Sequence, residues 1–419
     1  MNKKLLQILT VAALMLFAAA PLCARPWGIV ATQPDTINDP NLTNTESIHT
    51  IDFGQSPPAV YGPFLERQIT PTDGAGVFDI VMLPGNKKAL ISTFGNSQVH
   101  LVDLKDPTLP VLLGSLDIPF FAEDIDITKD GKTAIVADGG FQSRVAFIDL
   151  KTFTLTSVFN LGDDKYANGV AISPKKIAIF PDYFQGKIHY GKINKMRNGL
   201  ESVRTIALCD EGQTDNASLC EGVIGLPVNV TVSPDGRTAL VAIANGDVLF
   251  AFEITGKGEL IPGDPFMVTG LPGGPIPVGD DYRKGGNQSI AFQNNTTAYV
   301  ISQRVGLPSP DTVVRNGQLE YPDADGVQPN QLCKLNILGP GRVHVETQRY
   351  TLLNDGSSQL FGVDTLAIFK RYALVGNPTV SVGGSPYFNY VAYIDLVTGV
   401  LTPIELNNFG IAAGVAIKP

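Results

Sequence analysis

The chain has 419 residues and a formal net charge of −9, from 31 Lys and Arg against 40 Asp and Glu. Hydrophobic residues make up 44% and charged residues 17%, which excludes a disordered chain and allows a large core. Long basic runs are absent from the sequence, and this argues against nucleic acid or an anionic membrane as the main partner, since both require a basic face.

Residues 1–24 have the pattern of a secretory signal peptide. A basic start is followed by an apolar stretch over residues 5–20, and cleavage after Ala24 would leave residues 25–419 as a single domain. An apolar stretch of this length at the N-terminus is more typical of a signal than of an anchor, and no later segment is long and apolar enough to cross a bilayer. We therefore expect an exported protein, periplasmic or secreted, without a transmembrane segment.

A degraded repeat runs along the rest of the chain. Three copies are VFDIVMLPGNKKALISTFGNSQVHLVDL (77–104), AEDIDITKDGKTAIVADGGFQSRVAFIDL (122–150) and PVNVTVSPDGRTALVAIANGDVLFAFEI (227–254). Each copy predicts strand, turn, strand, turn, strand, and Asp-Gly supplies the left-handed conformation of a tight hairpin. The turn positions recur at intervals of 45, 45, 60, 60, 76 and 49 residues, which are of the order of four-stranded propeller blades, about 40–50 residues, with insertions in the longer ones. They are Pro84, Lys129, Pro174, Pro234, Asn294, Lys370 and Pro419.

The two ends of the chain complete the pattern. Residues 411–419 look like a first strand with nothing after it, residues 27–33 like a second strand, and residues 47–66 like a third and fourth. Six internal copies and this composite predict an all-β, seven-bladed β-propeller with four-stranded blades, its last blade closed by the N- and C-terminal strands. Such closure leaves no free sheet edge.

The repeat resembles known propeller repeats. The PDG turn and its following strand resemble the YVTN-type repeat of exported bacterial propellers, and VHLVDLKDPTLPVLLGSLDIP (99–119) is similar to the LVIVD repeat. Together they cover nearly all of residues 25–419. The resemblance implies the lactonase-like propeller superfamily, which includes binding proteins, surface proteins and lactonase-like enzymes, so it implies the fold more specifically than the function.

Polar residues open the first strands, which line the central channel of a propeller. At these positions we expect ligand-binding side chains at the channel mouth, although a wet opening alone would also favour polar residues. The candidates are Asp79, Glu123, Asp124, Asn168, Asn229, Gln288 and Asp364. Oxygen ligands suit Ca²⁺ or Mg²⁺. In a lactonase-like enzyme, as in gluconolactonase propellers, such a cation would polarise the lactone carbonyl and activate water. Its ligands here would be Glu123, Asp124, Asn168, Asn229 and Asp364.

Histidines and a recurring aspartate suggest structural roles. His49, His100 and His189 share one register of three different third strands, so they cannot converge on one metal or form a catalytic triad. A further set of carboxylates recurs before the turn that closes the third strand, and we expect it to accept local backbone N–H groups. Its members are Asp52, Asp103, Asp149 and Asp395.

Three cysteines remain after the predicted signal. Cys209 and Cys220 bracket a polar loop, and an oxidising compartment favours a disulfide between them, with two free thiols as the alternative. Cys333 lies in an apolar strand and is expected to be buried. The chain lacks a Cys-x-x-Cys-His haem-attachment motif, so a role in a redox complex has no support.

Two long insertions, residues 260–285 and 304–330, lengthen the connections around the fifth copy and could form a lid or a partner-binding rim, or be decoration. The sequence thus favours an exported propeller that binds a protein, glycan or small molecule at the channel mouth without catalysing a reaction on it. The alternative is a divalent-cation-dependent, lactonase-like hydrolase with its site at the channel.

Overall fold

The structure is a computed structural model, and it shows seven blades of four antiparallel strands in a ring, as the repeat predicted. Within the described residues there is no helix, and therefore none that could cross a membrane. The described residues are 26–33, 46–69, 76–140, 142–163, 165–183, 185–208, 227–243, 248–263, 276–277, 286–303, 313–315, 318–320, 331–352, 365–376, 380–382, 385–387, 390–406 and 411–418.

The first four blades follow one another along the chain. Blade 1 comprises β4 (Val77–Met82), β5 (Lys88–Thr93), β6 (Gln98–Asp103) and β7 (Val111–Asp117); blade 2 comprises β8 (Ala122–Ile127), β9 (Thr133–Asp138), β10 (Arg144–Asp149) and β11 (Thr154–Asn160). Blade 3 comprises β12 (Ala171–Ile172), β13 (Ile177–Asp182), β14 (Lys187–Lys192) and β15 (Arg204–Ala207); blade 4 comprises β16 (Pro227–Val232), β17 (Thr238–Ile243), β18 (Val248–Ile254) and β19 (Leu260–Pro262). A short strand, β20 (Ile276–Pro277), also pairs with β18.

The last three blades carry two inserted hairpins and the ring closure. Blade 5 comprises β21 (Gly286–Asn294), β22 (Thr297–Gln303), β25 (Gln331–Gly339) and β26 (Arg342–Thr351), with the hairpin of β23 (Val313–Arg315) and β24 (Gln318–Glu320) between its second and third strands. Blade 6 comprises β27 (Leu366–Phe369), β28 (Tyr372–Gly376), β31 (Tyr390–Asp395) and β32 (Leu401–Glu405), with the hairpin of β29 (Val380–Val382) and β30 (Ser385–Tyr387). Blade 7 comprises β33 (Ile411–Lys418), β1 (Trp27–Gln33), β2 (Ser47–Asp52) and β3 (Ala59–Phe64).

Blade 7 closes the ring, as the sequence of the two chain ends predicted. Val30 pairs with Val415 on one side and with His49 on the other, so the C-terminal strand is built into the N-terminal sheet. The seven first strands then contact one another in the order β33, β4, β8, β12, β16, β21, β27 and back to β33. This ring of first strands surrounds the channel.

The core lies between neighbouring blades. All six residues of β9 are buried, because a second strand is covered on both faces by adjacent blades. The outer strands β7 and β11 instead alternate between exposed and partly buried residues, since only one of their faces packs inward. The apolar clusters accordingly draw on two blades each, for example Leu90 and Val99 of blade 1 with Val136 and Ile148 of blade 2.

The turn between the first two strands is built alike in successive blades, although its sequence varies. Gly131 and Gly236 have φ of 65° and 68°, and Asn86 and Lys176 take the same left-handed conformation at 55° and 65°. A side chain at Gly236 would also lie 2.7 Å from the ring of Pro174 in the preceding blade. The glycine of the PDG turn is therefore required twice, for its φ and for the packing of one blade on the next.

Candidate functional site

Three of the predicted channel residues bond the first strand of one blade to that of the next. Asp79 Oδ2 accepts the Ile125 N–H at 3.1 Å, and Asp124 Oδ2 accepts the Val170 N–H at 2.6 Å. Asn229 Oδ1 accepts the N–H of Ile290 at 3.3 Å. We call these three interactions the inter-blade bonds. All three side chains are at most 2% exposed, so each acceptor satisfies a buried backbone donor.

For two of the three donors, a backbone irregularity explains why they hydrogen-bond to the neighbouring blade. The register of β8 on β9 shifts between Ala122 and Ile125, and that of β21 on β22 shifts between Asn287 and Ile290. Such a β-bulge takes backbone groups out of the ladder within the blade. A carboxylate or amide oxygen from the preceding blade then supplies the missing acceptor.

The channel beside the inter-blade bonds is lined by apolar side chains. A cavity of about 600 Å³ is bounded, in each blade, by the residue that follows Asp79 or its equivalent in the first strand. These residues are Ile80, Ile125, Val170, Val230, Ile290, Leu366 and Val415. Asp126 also borders the cavity, and its Oδ2 accepts the Ile172 N–H at 2.5 Å, an interaction that repeats the inter-blade pattern two residues further on.

The residues predicted to hold a cation are oriented by backbone donors. Asn168 Oδ1 accepts the Tyr183 N–H at 3.0 Å, so one oxygen each of Asn168, Asp124 and Asn229 has this role. Within the described ranges, no three His, Cys, Asp or Glu side chains form a group that could hold a metal ion. Asp364 and the side chain of Gln288 lie outside the described residues, and the Ca²⁺ or Mg²⁺ site stays a prediction.

A different group of polar side chains converges at the mouth, where blades 1, 2 and 3 meet. Glu123 stands at the start of β8, Asp138 at the end of β9, and Asn168 just before β12. The Asn168 side chain hydrogen-bonds to Glu123, and Arg144 Nε donates to Asp138 Oδ2 at 2.8 Å. Together with the phenyl rings described next, we call this group the Glu123 site.

Three phenyl rings stack beside these polar groups. The Phe94 ring lies 4.7 Å from that of Phe121, at an interplanar angle of 11°, and 5.8 Å from that of Phe78. Phe121 is 43% exposed although its ring stacks on that of Phe94. Part of an aromatic side chain is thus exposed to solvent close to these carboxyl groups.

Two glycines allow the rings and the carboxyl groups to meet. A Cβ on Gly139 would lie 2.5 Å from Phe94 Cε2 and 2.6 Å from Glu123 Oε2. A Cβ on Gly140 would lie 2.9 Å from both Asp138 Oδ1 and the Phe121 ring. No side chain fits at either position without displacing these groups, so the glycine pair makes the site possible.

Burial and mutual repulsion set the charges of the site. Burial, followed by repulsion from Asp138, raises the pKa of Glu123 to about 8, although the Asn168 hydrogen bond lowers it. Burial also raises the pKa of Asp138, against the opposing effects of the Gly140 N–H and Arg144. Glu123 is therefore mostly protonated at neutral pH, with a proton that it can donate or release.

The histidines have the structural positions that the sequence predicted. His49, His100 and His189 pair with equivalent residues of three second strands and are buried. Burial lowers the pKa of His49 and of His100 to about 4, so both are neutral at physiological pH. His189 Nε2 instead lies 2.9 Å from Asp182 Oδ2.

The aspartates that close the third strands accept backbone N–H groups, which confirms their predicted structural role. The pairs are Gly54 N to Asp52, Lys105 N to Asp103, Lys151 N to Asp149, and Val397 N to Asp395. Cys333 is buried in β25, as expected. Cys209, Cys220 and the predicted signal lie outside the described residues, as do most residues of the two insertions.

Comparison with known proteins shows the fold but no family. No protein-family model matches the chain, and no curated protein matches it. The solved structures that it resembles include a functionally unknown protein from Desulfotomaculum acetoxidans, with 15% identity, TM-score 0.60, and coverage of 93% of this chain and 98% of the other. A protein from Lactobacillus plantarum has 11% identity and a TM-score of 0.61, with coverage of 93% of this chain and 98% of the other. The periplasmic gluconolactonase of Pseudomonas aeruginosa has 12% identity and a TM-score of 0.59, with coverage of 94% of this chain and 99% of the other. At such identities the likeness establishes the propeller alone.

Sequence reasoning singled out Glu123 and Asn168 as candidates, but it did not single out the residues that the structure places beside them. It followed the first strands, whereas Asp138, Phe94 and Gly139 lie at or just beyond the ends of second strands. A comparison of the repeats offered a usable signal. Asp138 is the last residue of its second strand, as are Thr93 and Asp182 in the adjacent blades, so all three are polar at one position. Those positions lie at the same rim of the ring as the starts of the first strands.

Proposed function

We propose that this protein binds a ligand at the channel mouth, on the Glu123 site, without catalysing a reaction on it. The observation that carries the proposal is the difference in hydrogen-bond partners among the carboxylate and amide oxygens at the channel mouth. Asp79, Asp124 and Asn229 each direct an oxygen to a backbone N–H group of the next blade, whereas Glu123 is hydrogen-bonded to the Asn168 side chain and lies near an exposed ring. Residues bonded to the scaffold suit stability, and an exposed aromatic beside buried polar groups suits binding.

A divalent-cation-dependent, lactonase-like hydrolase is the second candidate function. The shared propeller fold of a periplasmic gluconolactonase favours it. In that case a Ca²⁺ or Mg²⁺ ion held by the predicted oxygen ligands would polarise a ring carbonyl. The same neighbour supports our proposal of an exported protein, periplasmic or secreted.

A ligand screen and a lactone assay separate the two candidates. We expect a panel of anionic, neutral and cationic small molecules to include compounds that raise the melting temperature of the wild type but not of Phe121→Ala. We expect glucono-lactone to hydrolyse at its uncatalysed rate, with or without added calcium. Calcium-stimulated hydrolysis that survives in Phe121→Ala would overturn the proposal in favour of the hydrolase.

A further inference from the structure

We propose that the face of the propeller opposite the mouth docks on an anionic phospholipid membrane. We call it the turn face, because it consists of the turns between first and second strands and between third and fourth strands, with the strand residue on each side of every turn. This surface is separate from the Glu123 site, and the proposal does not depend on the function proposed for that site. It rests on two features of the turn face, its charge and its exposed apolar side chains.

The turn face is basic although the chain is acidic. Among its described residues there are 18 Lys or Arg against nine Asp or Glu. The chain has 31 Lys and Arg against 40 Asp and Glu, so all its other residues together include only 13 of these cations and 31 of these anions. A face that concentrates one sign of charge in this way attracts a surface of the opposite sign.

Five short turns around the end of the channel contribute much of this charge. They join the first and second strands of blades 1, 2, 3, 4 and 6, and none is longer than five residues. Together they contain eight Lys or Arg and two Asp. The five turns are residues 83–87, 128–132, 173–176, 233–237 and 370–371. Because they are short, they present their cations on a broad rim without a deep groove.

Some cations of the turn face are paired within it, and others are available to an external anion. Asp130 Oδ2 lies 3.3 Å from Lys176 Nζ and 2.8 Å from Arg197 Nη2. Lys129 and Lys132 are exposed in the same turn as Asp130, and neither takes part in an ion pair within the described residues. Their ammonium groups are therefore free to approach lipid phosphates.

Exposed apolar side chains are the second feature of the turn face. Among the described residues, the five most exposed large apolar side chains all lie in or next to turns between third and fourth strands, with exposed fractions of 55% to 80%. They are Leu109, Met196, Leu338, Val397 and Val400. One exposed apolar residue needs no explanation. Several on one basic face are typical of a surface that lies in the membrane interface, with its apolar groups inserted below the headgroups.

The two features together favour a membrane over a soluble polyanion. An anionic polymer would pair with the lysines but would leave Met196 and Val397 in water. Proteins that bind single-stranded nucleic acid stack aromatic rings on the bases, whereas these exposed side chains are aliphatic. An anionic bilayer offers phosphate groups for the lysines and hydrocarbon directly below them for the apolar side chains.

The fold assembles this face from residues that are far apart in the chain. Lys87 belongs to a turn of blade 1 and Lys370 to a turn of blade 6, yet both turns lie at the same end of the channel. The sequence-based argument against an anionic membrane assumed that a basic face requires long basic runs. The ring of blades shows that it does not, so that argument does not apply to the folded protein.

Co-sedimentation with lipid vesicles tests the proposal on residues 25–419, which contain all seven blades and lack the apolar stretch of the predicted signal. We expect sedimentation with vesicles of equal parts phosphatidylcholine and phosphatidylglycerol, but not with phosphatidylcholine alone. The Lys129→Gln, Lys132→Gln pair should weaken binding by about 30-fold, at about fivefold for each lysine. The Lys165→Gln, Lys187→Gln pair removes the same charge at the mouth and should change affinity by less than about twofold.

A second comparison tests the apolar contribution. Val397→Ser on the turn face should weaken vesicle binding by about threefold or more, because the valine no longer enters the hydrocarbon. Val158→Ser alters an exposed valine in the middle of β11, away from the turns, and should leave binding unchanged. Thermal unfolding checks that each variant remains folded, which we expect because all the altered side chains reach the surface.

Three results would overturn the proposal. The first is a wild type that does not sediment with the anionic vesicles. The second is an equal loss of binding in the two lysine pairs, which would show that only net charge matters. The third is binding to heparin that the Lys129→Gln, Lys132→Gln pair loses, without any binding to vesicles, since it would assign the turn face to a soluble polyanion.

Discussion

Replacing Glu123 by Gln should stabilise the protein increasingly as the pH rises. The pKa of Glu123 is raised from 4.5 to about 8, so the folded state holds a proton that the unfolded state has lost between these values. Stability is therefore fully present below about pH 4.5 and declines as the pH rises towards 8. Gln cannot ionise, so the variant lacks this decline.

The size of the effect follows from the shift. One pKa unit corresponds to about 1.4 kcal/mol, so the wild type should lose up to about 3 kcal/mol at pH 7 and under about 1 kcal/mol at pH 5. Urea denaturation of wild type and Glu123→Gln at pH 5, 6, 7 and 8 measures the difference. Glu201→Gln, which removes an exposed carboxyl of blade 3, is the matched surface control. A constant difference across this range would refute the assignment of the proton to Glu123, and a difference that shrinks with pH would reverse its sign.

Three further predictions concern the scaffold. Asp79→Ala should lower the free energy of unfolding by about 1–3 kcal/mol because it leaves a buried N–H without its acceptor. Asp79→Asn should lower it by under about 1 kcal/mol, because blade 4 uses an amide for the same bond. Equal losses of the two variants in urea denaturation would refute the inter-blade role. Stability should fall as the pH drops from 6.5 to about 4, because His49 and His100 take up protons on unfolding. His100→Gln should reduce the slope of unfolding free energy against pH by about one proton, and an unchanged slope would contradict the shifted pKa. Gly414→Ala places a Cβ 3.0 Å from the blade 1 backbone and should lower the free energy of unfolding by about 1–3 kcal/mol. Gly256→Ala, whose Cβ would have no atom within 4 Å, should leave stability nearly unchanged. Equal effects of the two variants in thermal unfolding would refute tight packing at the ring closure.

Sequence patterns predicted the architecture because the fold is local in sequence. A tight turn such as that at Gly236, and the apolar strand after it, can each be predicted from a few consecutive residues. The closure of the ring could be predicted because the two chain ends have strand patterns that only each other's strands complete. The register of the first strands was equally accessible. Asp79, Asp124 and Asn229 are indeed equivalent. Each accepts a hydrogen bond from the residue that follows its own equivalent in the next blade, namely Ile125, Val170 and Ile290.

The hydrogen-bond partners of those side chains could not be predicted from the sequence. The acceptor and donor of an inter-blade bond are 46 residues apart for Asp79 and Ile125, and the need for the bond arises from a β-bulge that leaves no clear mark in the sequence. The Glu123 site depends on the close approach of Phe94 and Glu123 over Gly139, which only the packing of blade 1 on blade 2 produces. Its raised pKa follows from that packing.

Calorimetric titration of calcium into the protein tests the central claim most directly. Because Asp124, Asn168 and Asn229 each direct an oxygen to a backbone donor, and because we propose that the Glu123 site binds its ligand without a metal, we expect no calcium binding at micromolar concentrations. Tight calcium binding that is lost in an Asp124→Ala, Asn229→Ala double variant, itself shown to remain folded, would contradict the account. It would show instead that the channel mouth is built around a metal ion.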